Sequence, residues 1–391
     1  MRMSASGDPV LLTSDPGAGY RSRKRQILAA IEAALDGGQF ILGENVTAFE
    51  EEFSTWMGGG LTVGLANGTD AVELCLRAAG VQDGDWVAVP THTAVATATA
   101  VMRAGARPVF IDVDPRSYTI DPDALEEACR NPPHGQQLKA VVPVHLYGHP
   151  CDLDRIASIA AHHGLAMIED CSQAHGATWR GRKVGTLGVA AAFSCYPTKN
   201  LGALGDAGLA FTCDARVAER IRQLRQYGWK TRYLSDDIGM NSRLDEIQAA
   251  ILRVNLQHLD ADIAARSAVA ARYREMIQPG CVRLPDAGGT VAGHAYHQFA
   301  VLADDRDALQ AHLKDRGILA GILYPAPIHL QRAYRAIASQ WPLDLAVAEH
   351  VCRHVLCLPM HPHLSAADIA RVAAALNEFR AVATEPRRRA A

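Results

Sequence analysis

The sequence predicts an α/β protein: a large domain with a mostly parallel mixed sheet flanked by helices, followed by a smaller α+β C-terminal domain. Three observations carry this. Short apolar segments alternate with amphipathic helical segments from residue 61 to residue 212. One apolar segment, Ala166-Met167-Ile168-Glu169-Asp170, ends in acid, and the carboxyl ends of strands are where open α/β sheets bind ligands. From about residue 272 the alternation stops and a different order begins. At 391 residues the chain is long enough for a large core and more than one lobe.

Residues 1–20 read as an irregular arm, 21–255 as the large domain and 256–391 as the small one. In 21–35, Ile27, Ala30, Ile31, Ala34 and Leu35 fall at helical spacing, and Gly37-Gly38 ends the helix. Residues 47–57 form a second amphipathic helix, stopped by Gly58-Gly59-Gly60. A strand over 61–65 leads into Asn67-Gly68-Thr69-Asp70, which opens a helix over 71–79. Strands follow at 86–89, 108–113, 140–145 and 166–168, with helices at 94–104, 123–130 and 153–163 between them. Strands at 190–194 and 208–212 close the set. Residues 242–271 read as one long helix leading to the second lobe, which has a strand at 295–302 and helices at 306–316 and 365–379. The tail after Thr384 reads as frayed.

Composition excludes several classes. The chain is 49% hydrophobic and 21% charged, with a net charge of -3, so no basic field favours nucleic acid or an anionic membrane. The Arg-rich stretches 21–25 and 387–389 are short and read as solvated ends. No apolar run reaches the roughly 18–20 residues of a membrane span, and no signal peptide is visible. The nine cysteines show no C-x-x-C pair, which fits reduced thiols in the cytoplasm. Among sixteen histidines, His162-His163 and His361-Pro362-His363 lie closest together, without partners at zinc spacing. No metal is expected.

The chemistry concentrates in Ser194-Cys195-Tyr196-Pro197-Thr198-Lys199-Asn200-Leu201-Gly202, about thirty residues after Asp170. A lysine in a Gly-rich turn can condense with an aldehyde. A strand-end carboxylate can keep a pyridinium nitrogen protonated, so that the ring acts as an electron sink. Asn67-Gly68-Thr69-Asp70, between strand and helix, suits a phosphate, and Ser194 can add a hydroxyl. Each element alone has a plain alternative: a capped turn, a surface acid, a loop lysine. Their order is that of a pyridoxal-phosphate (PLP) enzyme. His92, after the strand at 86–89, is the candidate flat side chain against the ring. No G-x-G-x-x-G follows the first strand, which argues against a dinucleotide fold.

On these runs, and on Val144-His145-Leu146-Tyr147-Gly148, Glu169-Asp170-Cys171-Ser172-Gln173-Ala174-His175-Gly176-Ala177, Gly239-Met240-Asn241-Ser242-Arg243 and Tyr324-Pro325-Ala326-Pro327-Ile328-His329, the chain resembles the DegT/DnrJ/EryC1/StrS sugar aminotransferases, a branch of the fold-type-I PLP enzymes. The resemblance runs from about residue 40 to 376. It implies that Lys199 is the Schiff-base lysine and Asp170 the pyridine partner. It further implies that Gln173 meets the 3-hydroxyl side of the ring, that Gly68, Thr69 and Ser194 hold the phosphate, and that Asn241 reaches the cofactor of a neighbouring subunit in a homodimer with shared sites. His329 and Tyr324 would line the sugar pocket, and His175 would orient a sugar oxygen or the cofactor. Two departures stand out. Ala94 replaces a common aromatic, which passes the stacking role to His92, and Cys195 replaces a common Phe.

The implied reaction moves an amino group from L-glutamate or L-glutamine to a nucleotide-linked keto-sugar, with the Gln173-Ala174-His175-Gly176 wording nearer to members acting on 3-keto than on 4-keto sugars. A dTDP-linked 3-keto-6-deoxyhexose is the leading substrate. A cyclitol aminotransferase shares nearly every motif. Related sugar dehydratases carry His where Lys199 stands, which argues against that activity. A non-catalytic regulator on the same fold and a nicotinamide oxidoreductase are the readings of other classes.

Overall fold

The computed structural model describes residues 9–280 and 282–379. Two helices lead, α1 (Pro16–Asp36) and α2 (Glu44–Met57). β1 (Leu61–Leu65) and α3 (Gly68–Ala78) follow, then β2 (Trp86–Pro90), α4 (Val95–Arg103), β3 (Arg107–Ile111), α5 (Pro122–Arg130), β4 (Leu138–Val141), α6 (Leu153–His163) and β5 (Ala166–Asp170). β6 (Ala190–Ser194), β7 (Gly208–Thr212) and α7 (Ala215–Leu224) complete the large sheet and its cover. Its seven strands lie in the order β1-β7-β6-β5-β4-β2-β3. β3, β2, β4, β5 and β6 pair in parallel, whereas β7 is antiparallel to both β6 and β1. β1 therefore runs in the same direction as β6. The carboxyl ends of β1, β2, β4, β5 and β6 meet at one edge.

Alternating apolar faces bury the sheet on both sides. Phe49, Phe53 and Met57 of α2 recur at i, i+4, i+8 and pack into one core layer with Phe193, Phe211 and Leu209. Each such side chain contributes about 1.5–3 kcal/mol by leaving water. Val72, Leu76 and Val101 pack on the other face with Val87, Val89 and Ile168.

α8 (Glu246–Leu256) packs Ala249, Leu252 and Leu256 into the same core layer as α2. α9 (Leu259–Met276), β8 (Phe299–Leu302), α10 (Arg306–Asp315), α11 (Arg335–Ala338), α12 (Ala346–His354), β9 (Val355–Leu358) and α13 (Ala366–Glu378) follow, with β8 and β9 antiparallel. Ile328, Tyr334 and Leu345, between α10 and α12, pack into the core of the large sheet.

Several expectations are corrected. The helix expected over 21–35 begins at Pro16, because the Asp15 carboxylate accepts from Ala18 N at 2.9 Å and caps it. The supposed arm is pinned from residue 9 on where described: Leu11 N donates to Gly317 O at 2.9 Å, and Leu319 N to Leu11 O at 2.8 Å. Residues 1–8 and the tail after 384 lie outside the described residues. The long helix over 242–271 is two helices, interrupted at Gln257 and His258. Its first turn is displaced to Glu246, whose carboxylate accepts from Gly43, Asn45 and Val46 N–H groups and so caps α2. β4 stops at Val141 rather than 145, since Pro143 has no N–H to continue the ladder.

Candidate active site

The α3 N-terminus is built for an anion. Asn67 Oδ1 accepts from Asp70 N at 2.9 Å, while the N–H groups of Gly68 and Thr69 have no acceptor within the helix. A Cβ on Gly68 would fall 2.6 Å from Ser194 Cβ, and one on Gly208 would fall 2.3 Å from the Asn67 carbonyl. Two glycines thus let the helix start touch the ends of β6 and β7.

A cavity of about 310 Å³ opens at this edge, and Gly68, Thr69, Asp170, Gln173, Ser194 and Lys199 all line it. Asp170 ends β5 and is 4% exposed. Its Oδ2 accepts from Thr97 Oγ1 at 2.9 Å and its Oδ1 from Ser172 N at 3.1 Å, so the carboxylate is oriented from both sides. The Lys199 turn is held by Lys199 N to Tyr196 O, Ala203 N to Cys195 O and Cys195 N to Ala207 O, each 2.8 Å. Burial pushes the Lys199 ammonium down from 10.5 to about 8, against the upward pull of Asp170 and Cys195. A lysine so placed frees its amine at a lower pH than a surface lysine does.

These residues fit pyridoxal phosphate on their own chemistry. The helix start, Thr69 and Ser194 would hold the phosphate. Asp170 would pair with the ring nitrogen, and Lys199 would condense with the aldehyde. When bound, the cofactor supplies an electron sink for carbanion chemistry.

The other expected residues divide. Gln173 lines the cavity, with Oε1 accepting from Tyr147 N at 2.8 Å and Nε2 donating to Tyr324 Oη at 3.2 Å. Tyr324 therefore adjoins the cavity through Gln173. His92 is corrected. It is 1% exposed and is not on the cavity wall, because both ring nitrogens are engaged inside, with Cys352 Sγ at 3.1 Å and Tyr147 Oη at 2.8 Å. Its neighbours Thr93 and Ala94 line the cavity instead. His175 is likewise turned inward. The turn through Gly176, at φ 82°, puts the ring in the core with its centroid 5.3 Å from that of Phe193, and burial together with the Lys199 charge pushes it down to about 3. His329 is tied on both nitrogens, to Thr91 Oγ1 at 2.7 Å and Glu349 Oε1 at 3.3 Å, and is not on the wall. Asn241 is exposed and does not reach this chain's own cavity.

Two participants were missed. Thr97, one helical turn after Thr93, is the acid's orienting hydroxyl, and the repeated threonines of 91–99 were its only sequence signal. Tyr147 is the main-chain anchor of Gln173, which no local pattern announces. The sequence also gave no hint that His145, Glu169 and Cys171 cluster with ligand atoms within 4.8 Å of one another. The histidine and the carboxylate are hydrogen-bonded within the chain. His145 Nδ1 accepts from Cys151 N, and Glu169 accepts from His145 Nε2 and from the N–H groups of Gly185, Leu187 and Gly188. Burial alone would raise Glu169, but these donors hold it below its ordinary value.

Chemistry of this kind, at the carboxyl edge of a mixed sheet with this strand order, defines a PLP-dependent transferase. Comparison with known proteins narrows the class. The chain belongs to the DegT/DnrJ/EryC1/StrS aminotransferase family, whose profile matches residues 21–377; these enzymes are PLP-dependent. It is 45% identical over 353 residues to the erythromycin biosynthesis sensory transduction protein EryC1 of Saccharopolyspora erythraea, covering 90% of this chain and 94% of that one. It is 42% identical over 371 residues to a dTDP-3-amino-3,4,6-trideoxy-alpha-D-glucose transaminase of Streptomyces venezuelae, covering 93% and 95%. The crystal structure of S. venezuelae DesV in complex with a ketimine intermediate matches with a TM-score of 0.89 at 41% identity, covering 95% of this chain and 98% of that one.

Proposed function

We propose that the enzyme transfers an amino group from L-glutamate or L-glutamine to a nucleotide-linked 3-keto-deoxysugar, in the form of a dTDP-3-keto-6-deoxyhexose. The observation that carries this is the shared cavity of Lys199, Asp170, Gln173 and the α3 N-terminus, read with the name of the S. venezuelae relative, which places the amine on carbon 3 of a dTDP-linked sugar. In this reading Lys199 holds and moves the proton in each half-reaction, Asp170, oriented by Thr97, pairs with the ring nitrogen, and Gln173 orients the ring. Tyr324, which adjoins the cavity through Gln173, supplies a contact on the sugar side.

The site is shared in a homodimer. Asn241 follows the hairpin of Trp229–Thr231 and Leu234–Ser235. That segment carries Tyr233, Leu234 and Ile238 at 71%, 67% and 84% exposure, which supports a partner surface there. No helix among the described residues is long and apolar enough to cross a membrane, and the reading places the enzyme in the cytoplasm.

The test is an absorbance spectrum of the PLP-loaded protein before and after L-glutamate, then with a panel of keto substrates. The expected result is loss of the visible band with the donor and its return with dTDP-linked 3-keto sugars. Return with 4-keto sugars or a cyclitol ketone instead would overturn the substrate assignment. A regulatory reading, favoured by the name of the 45% identical relative, predicts no spectral change with any donor.

A further inference from the structure

We propose that Tyr147 is a positioning residue that holds the Gln173 carboxamide as a hydrogen-bond donor toward the cavity, with His92 and Cys352 setting the direction of the lock. The assignment follows from counting protons. Tyr147 N–H donates to Gln173 Oε1 at 2.8 Å, which fixes the end of the carboxamide that is oxygen. Gln173 Nε2 gives one hydrogen to Tyr324 Oη at 3.2 Å. One Nε2–H is left for a ligand, and Gln173 lines the cavity.

The support behind it also has a single direction. The Tyr147 hydroxyl has one proton, and it goes to the carbonyl of Leu323, which can only accept. Tyr147 Oη therefore accepts from His92 Nε2, 2.8 Å away. Burial pushes His92 down to about 3, so the ring is neutral and has one N–H. His92 Nδ1 then has to accept, and the Cys352 thiol at 3.1 Å donates. Protons point from Cys352 to His92 to Tyr147 to Leu323, the residue before Tyr324.

Tyr147 thus grips Gln173 with its main chain and the Tyr324 segment with its side chain. Its φ is 60°, a left-handed backbone that a bulky residue adopts only when its surroundings over-determine it. Because Tyr324 Oη accepts from Gln173, its own proton remains to be donated elsewhere. A ligand atom that meets Gln173 Nε2 has to be an acceptor. With PLP in the cavity, a placement on which the inference rests, the acceptor selected is the 3-oxygen of the ring in its deprotonated form. A donor to that oxygen draws electron density from the chromophore and lowers the pH at which its visible band titrates.

The experiment uses the PLP-loaded protein and reads the pH midpoint of the visible band, together with the PLP Kd from titration of the apoprotein. For Tyr147→Phe and His92→Phe the expected results are a midpoint raised by about half a unit or more, a Kd weakened about three- to tenfold, and a nearly unchanged thermal melt. Tyr324→Phe should move the midpoint in the same direction. In a Tyr324→Phe background, Tyr147→Phe should add little, since the hydroxyl it removes holds the Leu323 carbonyl beside Tyr324 and the main-chain N–H to Gln173 remains. If Tyr147→Phe does not fold, Cys352→Ala replaces it: it frees the His92 tautomer and should give a smaller rise. An unmoved midpoint in variants that bind PLP, or a full additional shift in the Tyr324→Phe background, would overturn the lock. A wild-type protein with no visible band would overturn the placement of the cofactor itself.

Discussion

Lys199 carries the strongest prediction at the scale of single residues. Lys199→Ala should lower turnover by at least about 10²–10⁴ while leaving the fold intact, as read by single-turnover kinetics and circular dichroism. Its protonation is testable without cofactor. Burial pushes the apoprotein lysine down from 10.5 to about 8, so competitive acylation followed by peptide mass spectrometry should find half-maximal reactivity about two and a half units below that of surface lysines. Folding releases this proton between those two values. The lysine therefore costs stability below pH 8, and that cost is relieved as pH rises toward 10.5. Asp170 and Lys199 were legible in the sequence because each sits at an element end that its own neighbours specify. His92 and His175 were misread for the opposite reason. A histidine after a strand looks the same whether its ring turns to a cavity or to the core, and only partners such as Cys352 and Phe193, distant in sequence, decide it.

At the scale of elements, the α3 start is the critical joint. Gly68→Ala would drive a methyl into Ser194, so the expected cost is about 1–3 kcal/mol of stability, with weakened PLP binding because the phosphate cradle moves. Chemical denaturation with and without PLP separates the two effects. Asp15→Ala removes the α1 cap and should cost about 1 kcal/mol with PLP affinity unchanged. Strand and helix types were legible wherever apolar periodicity was strong, as in α6, whose bounds Leu153–His163 match the expectation. The break between α8 and α9 was not, because the apolar pattern continues through Leu256 and Leu259, and the Gln257–His258 interruption carries no Gly or Pro.

For the whole molecule, the shared-site reading makes a complementation prediction. Lys199→Ala and Asn241→Ala homodimers should each be impaired. Mixing them after mild dissociation should restore up to about a quarter of wild-type activity, since half of the randomly paired dimers are mixed and each mixed dimer has one intact site. No recovery, alongside ultracentrifugation that shows subunits exchanged, would place Asn241 outside the partner's site. The pattern of the chain was enough to determine an α/β sheet with ligand chemistry at its carboxyl edge, since alternation and strand-end acids are local properties written in neighbouring residues. It was also enough to single out Lys199 and Asp170, which the fold brings to one cavity. The tertiary structure alone decided that His92, His175 and His329 turn away from the cavity, that Thr97 orients Asp170, and that Tyr147 joins Gln173 to the Leu323–Tyr324 segment. Those contacts span 26 to 176 positions of sequence, and hydrogen-bond direction between such partners exists only once packing has brought them within reach and removed the water that would otherwise satisfy them.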